Sequence, residues 1–171
     1  MPRRLGQGPL VGRLTEISVL DEALRMSAEA SEAGPVAVVI AGDAGIGKSR
    51  LVTKVSTRAA AAGWQVLNAG CLDLAEGSVP YLPLVDALRA LTASVLPSVL
   101  EHWRRGMSER AAPELSPDTA RGRVYAAYLD LLRSQSNEAP LALVVEDVHW
   151  TDRATRDLLS YLIRGLGTPQ F

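Results

Sequence analysis

Gly42-Asp43-Ala44-Gly45-Ile46-Gly47-Lys48-Ser49 divides a wholly apolar run, Val36-Ala37-Val38-Val39-Ile40-Ala41, from a segment of helical periodicity. The run has no polar member and is short for a helix, so it predicts a parallel strand buried on both faces. From Ser49 to Ala62 the apolar positions Leu51, Val52, Val55 and Ala59 recur at helical spacing, and Gly63 is a candidate C-cap. Trp64 to Ala69 then reads as a second short strand. Strand, glycine-rich turn, helix and strand together make a β-α-β unit.

Working outward, Leu14, Ile17, Leu20 and Leu24 place an amphipathic helix from Leu14 to about Glu32, closed by Gly34-Pro35. Downstream, Ser78 to Pro83 is a turn-like entry to a helix with the apolar face Leu84, Leu88, Leu91 and Val95. Pro97 starts a shorter helix reaching Trp103. Residues 104–117 are polar and broken by proline, which predicts an exposed loop. Asp118 to Ser134 carries Val124, Tyr128, Leu131 and Leu132 on one helical face, and Leu141 to Val145 is a second apolar run expected as a buried strand. A last helix, about Asp152 to Leu166, is expected to point Leu158, Leu159, Leu162 and Ile163 inward. Alternating strands and helices predict an α/β fold, a three-layer sandwich around a parallel sheet. Residues 1–9 are expected to be flexible, and no internal repeat is visible.

Composition fits one folded domain: 171 residues, 47% hydrophobic, with 18 basic against 19 acidic side chains. A net charge of −1 and scattered arginines give no electrostatic footprint for DNA, RNA or an anionic membrane. The single cysteine, Cys71, can form neither an intramolecular disulfide nor a zinc site alone, and is expected as a small buried residue in a reducing, cytosolic setting. No apolar stretch is long enough to span a bilayer.

The octapeptide fits G-x-x-x-x-G-K-[ST], placed where such a loop can work, between a strand and the first turn of a helix. Glycines at Gly42, Gly45 and Gly47 let the backbone of Asp43, Ala44 and Ile46 curl around phosphate oxygens. Lys48 neutralises phosphate charge, the Ser49 hydroxyl suits Mg²⁺, and Arg50 is counted with the loop among the nucleotide-binding positions. Lys48 is one of only two lysines in the chain.

A second constellation ends the strand Leu141-Ala142-Leu143-Val144-Val145 with Glu146-Asp147. Ligands bind at the C-terminal edge of parallel sheets, so paired carboxylates there suit a magnesium ligand and a base for an attacking water. Glu146 is assigned to the metal and Asp147 to the base, with Lys48 completing the catalytic group. The N-K-x-D signal of guanine recognition is absent, since Asn68 precedes Ala69 and Asn137 precedes Glu138. ATP is therefore the expected nucleotide, and no arginine-rich lid of a small-molecule kinase follows the acid pair.

Taken with Val11-Gly12-Arg13 and Glu16, Gly70-Cys71, Pro80-Tyr81-Leu82-Pro83-Leu84 and Val148-His149-Trp150-Thr151-Asp152, these motifs resemble a known group. It is the AAA-like P-loop ATPase domain at the N-terminus of large LuxR-type transcriptional regulators, among the signal-transduction ATPases with numerous domains. The resemblance runs from Leu10 to about Leu166, departing mildly at Leu14, where the family often has an acidic residue. It implies that Val11, Gly12 and Arg13 lie against adenine and ribose. His149 and Trp150 are similar to the family's pair that leads into the next helix; the residues themselves suggest packing for Trp150, capping by Thr151 or Asp152, either a structural or polar-network place or a contact with the γ-phosphate region for His149, and helix-entry packing for Pro80, Tyr81 and Pro83.

The family's fold further implies a strand between the two apolar runs, carrying a sensor residue, then a helical lid and a DNA-binding part. This chain reaches Phe171 before that strand, so residues 1–171 are expected to form a partial domain, incomplete on the C-terminal side of the sheet. Such a domain would bind ATP and Mg²⁺ with weak or no hydrolysis and make no direct nucleic-acid contact. The two apolar strands would either close up or leave a gap, and exposed edges would favour self-association. The competing expectation is a non-enzymatic interaction fragment, no longer binding nucleotide, that associates through its sheet edge and the helix from Leu84 to Leu96.

Overall fold

A computed structural model describes residues 12–29, 36–71, 79–88, 90–91 and 117–166. The elements in chain order are α1 (Leu14–Glu29), α2 (Lys48–Ala61), β1 (Gln65–Gly70), α3 (Leu82–Leu88), α4 (Pro117–Ser136), β2 (Leu141–Glu146), a 3₁₀ turn (Val148–Trp150) and α5 (Arg153–Leu166). Residues 1–9, the helix expected from Pro97 to Trp103 and most of the loop expected at 104–117 lie outside the described residues.

β1 and β2 pair in parallel, in register from Gln65 against Leu141 to Gly70 against Glu146. The turn into β1 is made as its residues dictate. Gly63 takes φ +89°, a left-handed conformation that a β-carbon would disfavour, and Trp64 N–H reaches back to Ala59 C=O at 3.0 Å.

The core follows the alternation of the strands. Leu67 and Ala69 of β1 are buried with Leu84, Leu88 and Leu91, Val124, Tyr128, Leu129 and Leu132 of α4, and Leu158 and Leu162 of α5. Leu67, Leu84, Leu88 and Leu158 are nearly inaccessible, each stabilising the fold by about 1.5–3 kcal/mol through removal of apolar surface from water. A second, smaller cluster joins α1 to α2 through Ile17, Leu51 and Val55, with Leu20 and Leu24 against it. Asp21 and Arg58 pair across these helices at 2.9 Å, a surface contact of modest energetic weight.

Three expectations need correction. The run 36–41 is no strand: among the described residues the sheet has two strands, and Val36, Val38 and Val39 are 41%, 45% and 88% exposed. Apolar composition favours burial, but a strand exists only where a neighbour completes its ladder, and neither β1 nor β2 pairs with this run. β2 itself is half-buried throughout instead of fully buried. Leu141, Leu143 and Val145 pack on the core, while Ala142 and Val144 belong to neither buried cluster. Ile163 is 57% exposed, because at 100° per residue it lies round the helix from Leu158 and Leu162. The expected apolar face of the helix from Leu84 is met in Leu84, Leu88 and Leu91, which are buried in the core, while Val95 lies outside the described residues. The architecture described is thus a mixed helix and strand arrangement with a two-stranded parallel sheet. No described helix is long and apolar enough to cross a membrane.

Candidate functional site

The loop before α2 has the geometry its glycines permit. Gly45 and Gly47 take φ +78° and +95°, left-handed conformations that L side chains adopt at a cost, although both would have open space for a β-carbon. Gly47 caps α2 without a side chain, its carbonyl accepting from Leu51 N–H at 3.0 Å, and no acidic residue stands in the first turn. The opening amides of α2 therefore carry the positive end of the helix dipole without a carboxylate of their own to neutralise it.

Lys48 is half-buried and folds over the loop, donating from Nζ to the carbonyls of Gly42 at 2.7 Å and Asp43 at 2.9 Å. Its ammonium thus sits beside the loop's own backbone, where a phosphate drawn to the loop would meet it. Ala44, Ile46, Ser49 and Arg50 are exposed. Arg13 approaches from the start of α1, donating to Ile46 C=O at 3.0 Å and to Glu16 Oε1 at 2.7 Å. That hydrogen bond holds the Glu16 carboxyl below the usual carboxylate range. Gly12 stands beside it at φ +80°, while Val11 lies outside the described residues.

The acid pair sits at the C-terminal end of β2. Glu146 is half-buried, and its carbonyl accepts from Cys71 N–H at 3.2 Å, extending the ladder one residue past β1. Asp147 is exposed at φ +56°, a left-handed conformation that aspartate tolerates better than most residues. Its carbonyl accepts from Trp150 N–H at 2.9 Å, closing the 3₁₀ turn. Among the described residues no hydrogen bond or ion pair joins Lys48 or Ser49 to Glu146 or Asp147.

The turn after the acids is anchored from below. Asp152 caps α5, accepting from Thr155 N–H at 2.9 Å, and its carboxylate also accepts from the Thr155 hydroxyl. Thr155, wholly buried, in turn accepts from Tyr81 N–H at 2.9 Å. Tyr81 is itself buried and held at φ +65°, so the entry to α3 and the start of α5 are locked together. The capping residue is thus Asp152, while Thr151 turns its hydroxyl to Val148 C=O. Trp150 is 46% exposed and lies against the His149 ring at 4.8 Å, so it does not pack into the core. Cys71 is buried, and burial first, then Asp147 and Asp152, pushes its thiol pKa up.

Sequence reasoning missed the Tyr81 to Thr155 bond, which spans 74 residues, and the Arg13 bond to the loop. The spacing Asp152-x-x-Thr155 was a usable signal for the cap itself.

These features are matched by what the chain resembles. The profile of the AAA ATPase domain family covers residues 9–170. An uncharacterized protein of Rhizobium meliloti (strain 1021) is 29% identical over 185 residues, a match covering 94% of this chain and 18% of that protein. The chain therefore spans less than a fifth of the length of this relative. No solved structure matches. With nearly every residue inside the profile, loop and acid pair included, the chain belongs to the AAA ATPase domain family.

Proposed function

We propose that these residues form the ATP- and Mg²⁺-binding module of a signal-responsive transcriptional regulator of the LuxR type, one of the signal-transduction ATPases with numerous domains. Its nucleotide state acts as a switch, with weak or no hydrolysis by these residues alone. The observation that carries nucleotide binding is the loop: left-handed Gly45 and Gly47, an uncapped α2 N-terminus and Lys48 folded across Gly42 and Asp43. The regulator reading rests on the motif resemblance. It is supported by a relative more than five times the length of the matched part, in which such a module would be one portion.

In this reading the amides of residues 43–49 receive the phosphates, Lys48 moves from the Gly42 and Asp43 carbonyls to a phosphate oxygen, and Val11 and Gly12 lie on the base side. The oxygen donors at hand, the Ser49 hydroxyl and the Glu146 carboxylate, suit magnesium held jointly with phosphates. Bound there, magnesium would offset charge on the transferring phosphoryl group. Asp147 orients a water and takes its proton, and Lys48 opposes the charge that builds on phosphate oxygens. The exposed position of Asp147 leaves that water poorly screened from bulk solvent, in line with slow turnover.

The test is thermal unfolding with and without Mg·ATP. At a hundredfold excess over Kd the ligand should stabilise the fold by about 2.7 kcal/mol, raising Tm by about 5–11 °C for a chain of this size. Lys48→Ala should remove the shift, and Asp147→Asn should keep it while abolishing phosphate release. An ATP-insensitive melt in the parent chain refutes the reading. It would favour the non-enzymatic interaction fragment, for which the exposed Val36, Val38 and Val39 provide an apolar contact strip.

A further inference from the structure

We infer that Arg13, oriented by Glu16, is a positioning residue that sets the phosphate loop by holding the Ile46 carbonyl; the inference rests on the phosphate-binding reading of that loop. A trans peptide fixes its carbonyl and the following N–H on opposite sides of one plane. All described peptides are trans, so the Arg13 bond to Ile46 C=O directs Gly47 N–H away from Arg13. Gly47 is also the residue whose carbonyl opens α2, which makes this peptide the joint between loop and helix. Glycines on either side, Gly45 and Gly47, leave that joint without side-chain restraint, and a carbonyl partner supplies what the glycines omit.

Arg13 is placed for this by packing rather than by local sequence. Its carbonyl accepts from Ile17 N–H at 3.0 Å, so it sits at the start of α1, and Ile17 packs on Leu51 and Val55 of α2. The helix that the loop opens therefore carries the helix that supplies the strap. One guanidinium nitrogen goes to Glu16 and the other to Ile46, a fork that lysine cannot reproduce. Held between Glu16 and the Ile46 carbonyl, Arg13 acts on phosphates through the loop.

The experiment separates the two roles with two probes, Mg·ADP and inorganic tripolyphosphate, titrated calorimetrically into the parent chain, Arg13→Ala, Arg13→Lys and Glu16→Gln. A strap predicts that Arg13→Ala weakens both probes by the same factor, about tenfold to a hundredfold for one charge-assisted hydrogen bond. Arg13→Lys should recover part of that loss and Glu16→Gln should lose less, again equally for both probes. A loss confined to Mg·ADP would place Arg13 on the base or ribose and overturn the inference, as would unchanged affinity for both. If Arg13→Ala fails to fold, the parallel loss in Glu16→Gln decides. A parent chain that binds neither probe would refute nucleotide binding itself. Amide exchange at Gly45 and Gly47 without ligand still judges the strap: faster exchange in Arg13→Ala supports it, and unaltered exchange overturns it.

Discussion

Replacing Thr155 by valine tests whether the segment carrying the acid pair is held by one buried hydroxyl. Valine matches threonine in shape and removes only the polar function. Thr155 is wholly buried, so Tyr81 N–H, its donor at 2.9 Å, would lose its acceptor where water cannot replace it. An orphaned buried donor costs about 1–3 kcal/mol. Asp152 would lose the hydroxyl but keep Thr155 N–H, and being half-buried it recovers part of that loss from solvent. The sum is about 2–3 kcal/mol, a Tm decrease of about 4–12 °C for a chain of this length. Thr155→Ser keeps the hydroxyl and deletes one buried methyl, which costs about 1 kcal/mol. Urea and thermal unfolding followed by circular dichroism should therefore rank parent above serine above valine, with similar m-values. A valine variant as stable as the parent, or less damaged than serine, would refute the claim that this hydroxyl ties α3 to α5.

Three further outcomes follow from other parts of the molecule. Val39→Thr should change stability by no more than about 0.5 kcal/mol, because Val39 is 88% exposed; a loss of several kcal/mol in urea unfolding would mean that residues 36–41 are buried as a strand after all. Cys71 is buried with its thiol pKa raised, so alkylation at pH 8 should be much slower in the folded chain than in urea; equal rates would contradict its placement. The Glu16 carboxyl, bonded to Arg13, should titrate by NMR below the ordinary 4.5 and return toward it in Arg13→Ala. Since the folded value is the lower one, the pair's contribution is present above about 4.5 and is lost as pH falls through the folded pKa.

What could be read from the sequence was what neighbouring residues decide among themselves. Glycines at Gly45, Gly47 and Gly63 demanded left-handed backbone and received it. Helical spacing located α1, α2, α4 and α5 to within a few residues, and short β-rich runs located β1 and β2. The run Val36 to Ala41 has as strong an apolar pattern as β2, yet β2 is a strand and this run is not. The difference lies outside both: β2 has β1 beside it, and among the described residues no strand pairs with residues 36–41. The left-handed Tyr81 was equally invisible, because the hydroxyl that bonds its N–H is brought to it by α5 packing against α3.

The same division bears on chemistry. The phosphate loop opens α2 and is braced by α1, whose shared core is Ile17, Leu51 and Val55. The acid pair ends β2, whose core is the larger cluster of β1, α3, α4 and α5. Each half therefore has its own buried contacts, α2 meets β1 directly, and the run 36–41, which leads from α1 into the loop, adds no ladder between the halves. In the proposed function, phosphate affinity draws on loop amides and Lys48 and so would need only the first half to be ordered. Hydrolysis, on that proposal, would need Glu146 and Asp147 at fixed distances from the loop, and catalytic groups misplaced by about 1 Å lose roughly a hundredfold in rate. If the proposed function holds, a domain built this way would hold nucleotide firmly while hydrolysing it slowly. Whatever fixes the two clusters relative to each other would then raise turnover more than affinity.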